Sequence, residues 1–139
     1  MSGIITQLIE KQRFDFTWLG TSATKTIVLH SALNVVPYYR ARLAVRLHAT
    51  SSAGFAVGQS VVLAGYGTDP SPDDPAEFTK PASSLSVTLD SSSTVPSFAT
   101  ATANDLDPYL KFVLTFTQSG TGGTSFWVEM SADLVLREG

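Results

Sequence analysis

The chain contains no cysteine among its 139 residues. This absence excludes disulfide bonds, thiolate metal sites and cysteine nucleophiles, and it leaves the redox compartment open. A chain of this length can bury enough surface in one domain to fold without covalent cross-links. We therefore expect one domain that is stabilised by core packing and strand pairing.

Charged residues are scarce. They make up 15% of the chain, against about 25% in average soluble domains, and the formal net charge is −3. A nucleic-acid-binding protein needs a clustered excess of lysine and arginine, and the densest basic group here is Arg40, Arg42 and Arg46. The sequence thus predicts no nucleic-acid partner, and an uncharged polar surface favours coverage by another protein.

Long apolar runs are absent as well. Residues 1–12 lack the basic stretch and following apolar segment of a secretory signal. No run approaches the ~20 apolar residues that a membrane-spanning helix needs. We expect a protein that is made in the cytoplasm and has no membrane partner.

No motif for catalysis or cofactor binding is present. The histidines, His30 and His48, fall on different predicted strands and lack the spacing of zinc ligands. No serine lies in a nucleophile elbow, and no glycine-rich phosphate loop occurs. An enzyme would need one histidine within hydrogen-bond reach of a carboxylate in a cleft. The sequence predicts no enzymatic activity and no cofactor.

One segment combines prolines with acidic residues. Residues 67–81 hold four of the seven prolines together with Asp69, Asp73, Asp74 and Glu77. Proline removes a hydrogen-bond donor from a sheet, so we expect a long loop there and not a strand. The carboxylates are calcium-type ligands, but their spacing is not that of an EF-hand. A solvated acidic loop without a metal is the favoured interpretation.

The N-terminal segment has a different period from the rest. Ile4, Ile5, Leu8 and Ile9 recur at helical spacing, so residues 3–11 predict a short helix or an arm. Such a short helix is unstable alone and must dock on something. Two alternatives remain open: it covers one end of its own domain, or it reaches a neighbouring subunit. The predicted division is an arm at residues 1–12 and a β-sandwich domain at residues 13–139.

From residue 13 onward, apolar and polar residues alternate in the manner of strands. Phe14, Phe16 and Trp18 share one face, which we expect to be core. The predicted strands cover residues 13–18, 25–30, 42–50, 59–65, 85–89, 98–103, 110–117 and 126–136. Turn signals separate them, and no helix alternates with them. The fold class is all-β: a single-domain antiparallel β-sandwich or jelly roll of about eight strands with a short N-terminal arm or helix.

Four aromatic residues are candidates for a sugar-binding platform. Tyr38, Tyr39 and Tyr66 lie near predicted loops, and Trp127 lies on the last strand. Exposed aromatic rings stack on sugars in carbohydrate-binding sandwiches. This function requires the four rings to cluster on one exposed concave face.

The chain resembles small β-sandwich structural proteins of tailed bacteriophages, particularly capsid decoration or cement proteins. The resemblance is carried by the segment at residues 1–12, the sequence Gly65-Tyr66-Gly67-Thr68 before the proline-rich excursion, Asp107-Pro108-Tyr109 before the penultimate strand, and the long last strand ending at Arg137. It implies a symmetric assembly, often a trimer, that sits on a protein shell without a cofactor or an active site. It carries over no functional residues.

We therefore expect a virion structural protein, made in the host cytoplasm, that decorates or stabilises the outside of a viral shell. Its predicted partners are capsid subunits and further copies of itself, with a trimer favoured. The alternative is a carbohydrate-binding jelly-roll module of a receptor-binding or fibre protein. The predicted interface residues are Ile4, Ile5, Leu8, Ile9, Tyr38, Tyr39, Tyr66, Asp69 and Phe78.

Overall fold

The computed structural model describes residues 3–17, 23–51, 54–68, 80–119 and 125–138. These residues form eight strands: β1 (Gly3–Thr17), β2 (Ala23–Asn34), β3 (Arg40–Thr50), β4 (Gln59–Thr68), β5 (Lys80–Leu89), β6 (Ser97–Ala103), β7 (Tyr109–Gln118) and β8 (Ser125–Arg137). Within the same ranges, no helix is long and apolar enough to cross a membrane.

The strands build two antiparallel sheets of four strands each. Sheet A has the order β1-β8-β3-β6, and sheet B has the order β2-β7-β4-β5. The first strand pairs with the eighth, the second with the seventh, the third with the sixth and the fourth with the fifth. This order results when a long antiparallel hairpin, with β1 to β4 as one arm and β5 to β8 as the other, folds over into two sheets while the two arms stay paired. The predicted all-β antiparallel sandwich is confirmed.

Alternation in the central strands builds the core between the sheets. The inward side chains of β7 and β8 are at most 4% exposed: Leu110, Phe112, Leu114 and Phe116 from β7, and Phe126, Val128, Met130, Ala132, Leu134 and Leu136 from β8. Full burial of one such large side chain stabilises the fold by about 1.5–3 kcal/mol. These two strands therefore supply a large share of the apolar contacts.

Aromatic rings fill one end of this core. The Phe116 ring lies 5.9 Å from Phe14, 6.0 Å from Phe16 and 6.4 Å from Phe126, measured between ring centres. Phe55 adds an edge contact with Phe126 at 5.9 Å. Phe14 and Phe16 thus face the core as predicted, and Trp18 lies outside the described residues.

The N-terminal segment is a strand, and the prediction of a helix there is wrong. β1 pairs with β8 from Gly3 opposite Arg137 to Thr17 opposite Ser125. The register shifts between Gln7 and Ile9 and again between Ile9 and Gln12. A β-bulge interrupts the strict alternation of side chains, so the consecutive residues Leu8 and Ile9 are both buried, at 7% and 1% exposure. Two consecutive buried residues in a strand produce an apolar spacing that resembles the spacing of a helix.

The proline-rich segment is flanked by longer strands than predicted. β4 continues to Thr68, and β5 begins at Lys80 with Pro81 opposite Tyr66. β5 is an edge strand of sheet B, where proline is tolerated because one side of the strand has no partner to bond. The acidic residues of the predicted loop and the rest of residues 69–79 lie outside the described residues.

Replacing Phe116 with alanine tests the aromatic end of the core. Phe116 is fully buried, so the substitution should lower the free energy of unfolding by about 3–5 kcal/mol. The control is Val57→Ala, since Val57 is 88% exposed and its truncation should change the value by less than about 0.5 kcal/mol. Denaturant unfolding measures both, and equal effects would contradict this assignment of the core.

Candidate interaction surfaces

The outer face of sheet B carries an uncharged surface. Three transverse rows of its outward residues are uncharged: Thr24, Thr117 and Ser60; Thr26, Thr115, Val62 and Thr88; and Val28, Val113, Ala64 and Ser86. We call these eleven residues the threonine–valine face. None of them is charged, and Val28 is 50% exposed. The next row contains Lys111 opposite Tyr66. Depletion of charge is typical of the centre of a protein–protein interface.

The outer face of sheet A is charged. Along β3, the buried residues Ala41, Leu43, Val45 and Leu47 alternate with exposed arginines at positions 40, 42 and 46. Glu129, Asp133 and Arg137 occupy outward positions on the neighbouring β8. The two sheets thus present chemically different faces to their surroundings.

Three arginines surround a hollow at one end of sheet A. Arg40 lies directly opposite Arg137 in the β3–β8 ladder. Arg42 lies between Val135 of β8 and Thr102 of β6. The hollow has a volume of about 310 Å³ and is lined mainly by Arg40, Arg42, Thr102, Asn104, Val135 and Arg137. We call it the arginine hollow.

The charges of the arginine hollow are not balanced within the described chain. The ion pairs among the described residues are Lys11 with Glu129 at 3.9 Å and Arg13 with Asp15 at 2.8 Å. Both pairs lie toward the other end of β8, about 25 Å away by strand rise. Like charges directly opposite each other in a sheet are destabilising. None of the three guanidinium groups has an ion pair among the described residues, and the outward acid next along β8 is Asp133, four residues before Arg137.

A second hollow lies farther along β3 and β6. It measures about 290 Å³ and is lined by Arg46, Leu47, His48, Pro96, Ser97 and Phe98. Phe98 is 51% exposed, and the Arg46 guanidinium lies 4.5 Å from the centre of its ring. We call it the Phe98 hollow. The exposed ring of Phe98 makes this hollow partly apolar, whereas the arginine hollow is positively charged.

The predicted interface residues of β1 have different environments. Ile4 and Ile5 are 46% and 72% exposed on an edge strand, so their side chains are accessible to a partner. Leu8 and Ile9 belong to the core. Their side chains therefore pack against other residues of the same chain. Asp69 and Phe78 lie outside the described residues.

The four aromatic candidates do not form one platform. Trp127 lies on sheet A near the Arg13 guanidinium, which is 4.5 Å from its ring centre, whereas Tyr66 lies on sheet B opposite Lys111. Tyr38 is half-buried against the core, and Tyr39 is 59% exposed. Trp127 lies near the start of β8, whereas Tyr39 lies beside Arg137 at the end of the same strand. The four rings therefore cannot stack on one sugar.

Tyr39 lies instead beside the arginine hollow. Its backbone N–H donates a hydrogen bond to the carbonyl of Arg137 at 3.2 Å, and the N–H of Leu106 donates to the Tyr39 carbonyl at 3.1 Å. These bonds hold the chain before β3 against the end of β8. Tyr39 is thus one predicted interface residue next to this charged site, and Ile5, which lies opposite Val135 of the hollow, is another.

The two histidines lie on different sheets. His30 is opposite Phe112 in sheet B, and His48 in sheet A hydrogen-bonds Ser131, with Nε2 and Oγ 2.9 Å apart. In the described ranges, no three histidine, aspartate or glutamate side chains are grouped as a metal site. The two histidines are therefore not neighbours in one sheet.

Sequence reasoning missed both the arginine hollow and the threonine–valine face. It singled out Arg40, Arg42 and Arg46 only as a weak basic group, because the contribution of Arg137 depends on the β3–β8 register. The threonine–valine face draws its residues from four strands that are separated in sequence. Alternating Thr in β2 and β7 was the available signal, and it does not reveal which strands are neighbours.

The sequence matches no protein-family model and no curated protein. Its fold is similar to solved structures of low sequence identity. VP2 of infectious bursal disease virus, in a subviral particle, has a TM-score of 0.51 and 12% identity over 99% of this chain and 32% of the VP2 chain. A mutant VP2 of the same virus has a TM-score of 0.50 and 11% identity over 98% of this chain and 32% of that chain.

The carbohydrate-binding module TmCBM61, in complex with β-1,4-galactotriose, has a TM-score of 0.47 and 11% identity over 98% of this chain and 88% of the module. The present chain spans about a third of the VP2 chains that it matches. The likeness to VP2 shows a shared fold.

Reversing the charge of Arg40 tests the repulsion in the arginine hollow. Arg40→Glu places a carboxylate opposite Arg137 and should raise the free energy of unfolding by about 0.2–1 kcal/mol at low salt, with a smaller gain at high salt. Lys11→Glu is the control, since it sets a second acid beside Glu129 and should lower stability. Loss of stability in Arg40→Glu at low salt would contradict the repulsion.

Proposed function

We propose that the protein is a virion structural protein that attaches to the outside of a viral shell, where it decorates or stabilises the capsid. It acts by binding and not by catalysis. The observation that carries this proposal is the threonine–valine face, an uncharged sheet surface of eleven residues on a sandwich whose other face is charged.

The composition of the threonine–valine face suits a protein partner. Burying a charged group without a partner is costly, so a surface that another protein covers is best built from uncharged residues. β-branched side chains on neighbouring strands also lose little rotamer freedom on contact, because their χ1 angles are already restricted. The flat rows around Thr115 and Val62 present such side chains across three or four strands.

The architecture supports the same proposal. The rolled-hairpin pairing supports a jelly roll of eight strands, an architecture found in viral capsid and lectin domains. The fold is also similar to that of VP2, a protein found in a subviral particle. The resemblance to decoration proteins of tailed bacteriophages favours attachment to a shell over a role as the shell itself.

The proposed decoration protein is a closed homo-oligomer, with a trimer favoured, located in the virion after synthesis in the host cytoplasm. Several copies attached together gain avidity without new contacts, because each later attachment is intramolecular. Ile4 and Ile5, exposed at the β1 edge, and Tyr39 are the residues we propose for contacts between copies. The sugar-binding alternative is disfavoured because Trp127 and Tyr66 lie on different sheets and the four rings form no single platform.

A glutamate in the threonine–valine face tests the attachment surface. Thr115→Glu places a charge between Val62 and Thr26 and should weaken co-sedimentation with capsids of tailed bacteriophages at least ~tenfold, because the charge must be desolvated on contact. The matched control is Thr100→Glu, at an exposed outward position of β6 on sheet A. Both variants should unfold at the same denaturant midpoint as the parent chain.

Equal retention of both variants on capsids would reject the threonine–valine face as the attachment surface. Absence of binding by the parent chain to any capsid tested would reject the decoration function itself. These two results are distinguishable because the second needs no variant.

Light scattering of the purified protein tests the oligomer. A trimer should have about three times the 14.8 kDa mass of the chain. Ile5→Glu should shift this mass toward that of the monomer if β1 lies between copies, since Ile5 is 72% exposed. Val57→Glu, at an exposed loop position, is the control. A monomeric parent chain at working concentration would contradict the closed oligomer.

A further inference from the structure

We infer that the arginine hollow binds carboxylate groups of an acidic protein segment. The inference concerns the outer face of sheet A and does not rest on the proposed attachment surface, which lies on sheet B. It starts from the direct opposition of Arg40 and Arg137. Among the described residues, neither these two side chains nor Arg42 has an ion pair or a side-chain hydrogen bond.

The residue types fit an oxyanion ligand. A guanidinium group offers paired N–H donors that match the two oxygens of a carboxylate, which a lysine ammonium cannot do. Arg40 and Arg42 are two residues apart on one face of β3, about 7 Å along the strand. Thr102 and Asn104 add a hydroxyl and an amide as further donors on the hollow's other wall. The hollow can thus hold more than one carboxylate at once.

The shape of the site favours a protein segment over a small free carboxylate. The hollow's 310 Å³ is at the lower end of the range for ligand pockets, and its arginines are exposed, so a small anion there would keep most of its water. The Phe98 hollow lies on the same two strands, with Arg46 about 20 Å from Arg40 by strand rise. An extended segment of about six residues reaches both hollows.

Such a segment would place acidic side chains in the arginine hollow and an apolar side chain against Phe98. The exposed half of the Phe98 ring and Pro96 provide the apolar contact. This combination of charge at one end and apolar surface at the other is a chemistry that peptides have and small anions lack.

Charge along sheet A disfavours a nucleic acid as the occupant. A phosphate backbone needs a continuous track of positive charge. Here Asp133 and Glu129 follow Arg137 along the outward side of β8, and the whole chain has a net charge of −3. Three arginines at one end therefore suit a short run of carboxylates and not a repeating polyanion.

Fluorescence anisotropy with a fluorescein-labelled Glu-Glu-Glu-Ser-Ser-Leu peptide, which has acids at one end and an apolar side chain at the other, tests the site on the full chain. The double variant Arg40→Gln/Arg42→Gln should weaken binding about tenfold or more at low salt, since hydrogen bonds to charged groups are lost. The matched control, Lys11→Gln/Arg13→Gln, removes the same charge from the other end of sheet A and should change affinity by less than about twofold. Unfolding midpoints check that both variants are folded.

Two further probes separate the occupants. Citrate at the same carboxylate concentration should displace the peptide only partly, because it cannot contact both hollows. A single-stranded DNA oligonucleotide should bind more weakly than the peptide.

Three results would overturn the inference. They are absence of peptide binding to the parent chain, equal loss of affinity in the hollow and control variants, and DNA binding that is tighter than peptide binding and equally dependent on Arg40 and Arg42. Complete displacement by matched citrate would overturn the assignment to a protein segment.

Discussion

The ladder between β1 and β8 joins the two ends of the chain, and the rest of the sandwich is nested between them. It runs from Gly3 opposite Arg137 to Thr17 opposite Ser125. Closing a contact between such distant residues costs chain entropy, although that cost grows only slowly with loop length. The apolar inward side of β8, buried along its whole length, offsets it. The pairings of β2 with β7, β3 with β6 and β4 with β5 follow the same order inward.

This nesting also sorts the charges of the chain. β8 and β3 are neighbours in sheet A, and their outward residues include Arg40, Arg42 and Arg137. β7 and β4 are the corresponding neighbours in sheet B, and their outward residues are threonine, serine, valine and alanine over three rows. The sandwich therefore places the three arginines and the threonine–valine face on opposite sheets.

The arginine hollow shows how a binding surface differs from a surface shaped only by stability. An isolated sheet would be better served by an opposite charge facing Arg137, because like charges opposite each other cost free energy. Elsewhere on sheet A, the chain does use opposite charges, as in the pair between Lys11 and Glu129. The core beneath the hollow is complete, with Ala41 and Leu136 buried. Among the described residues, the guanidinium groups of Arg40, Arg42 and Arg137 have no ion pair.

Alternation of apolar and polar residues was enough to predict an all-β sandwich, because a strand with one buried face has a period of two. The same rule failed at Leu8 and Ile9, where bulges turn consecutive residues inward and produce a helical spacing in the sequence. It also placed Phe14 and Phe16 in the core correctly. Pairing and register, however, depend on contacts between residues far apart in the chain, and a periodic pattern contains no information about which strands become neighbours.

The candidate surfaces depend on that missing information. The sequence by itself determined the type of fold, the inward side of each strong strand and the presence of arginines on the outward side of β3. Only the tertiary structure decided that Arg137 lies opposite Arg40, that threonines and valines from four strands form one face, and that Trp127 and Tyr66 lie on different sheets. The physical reason is that a strand's own residues set its two faces, whereas its neighbours are set by the packing of the whole chain.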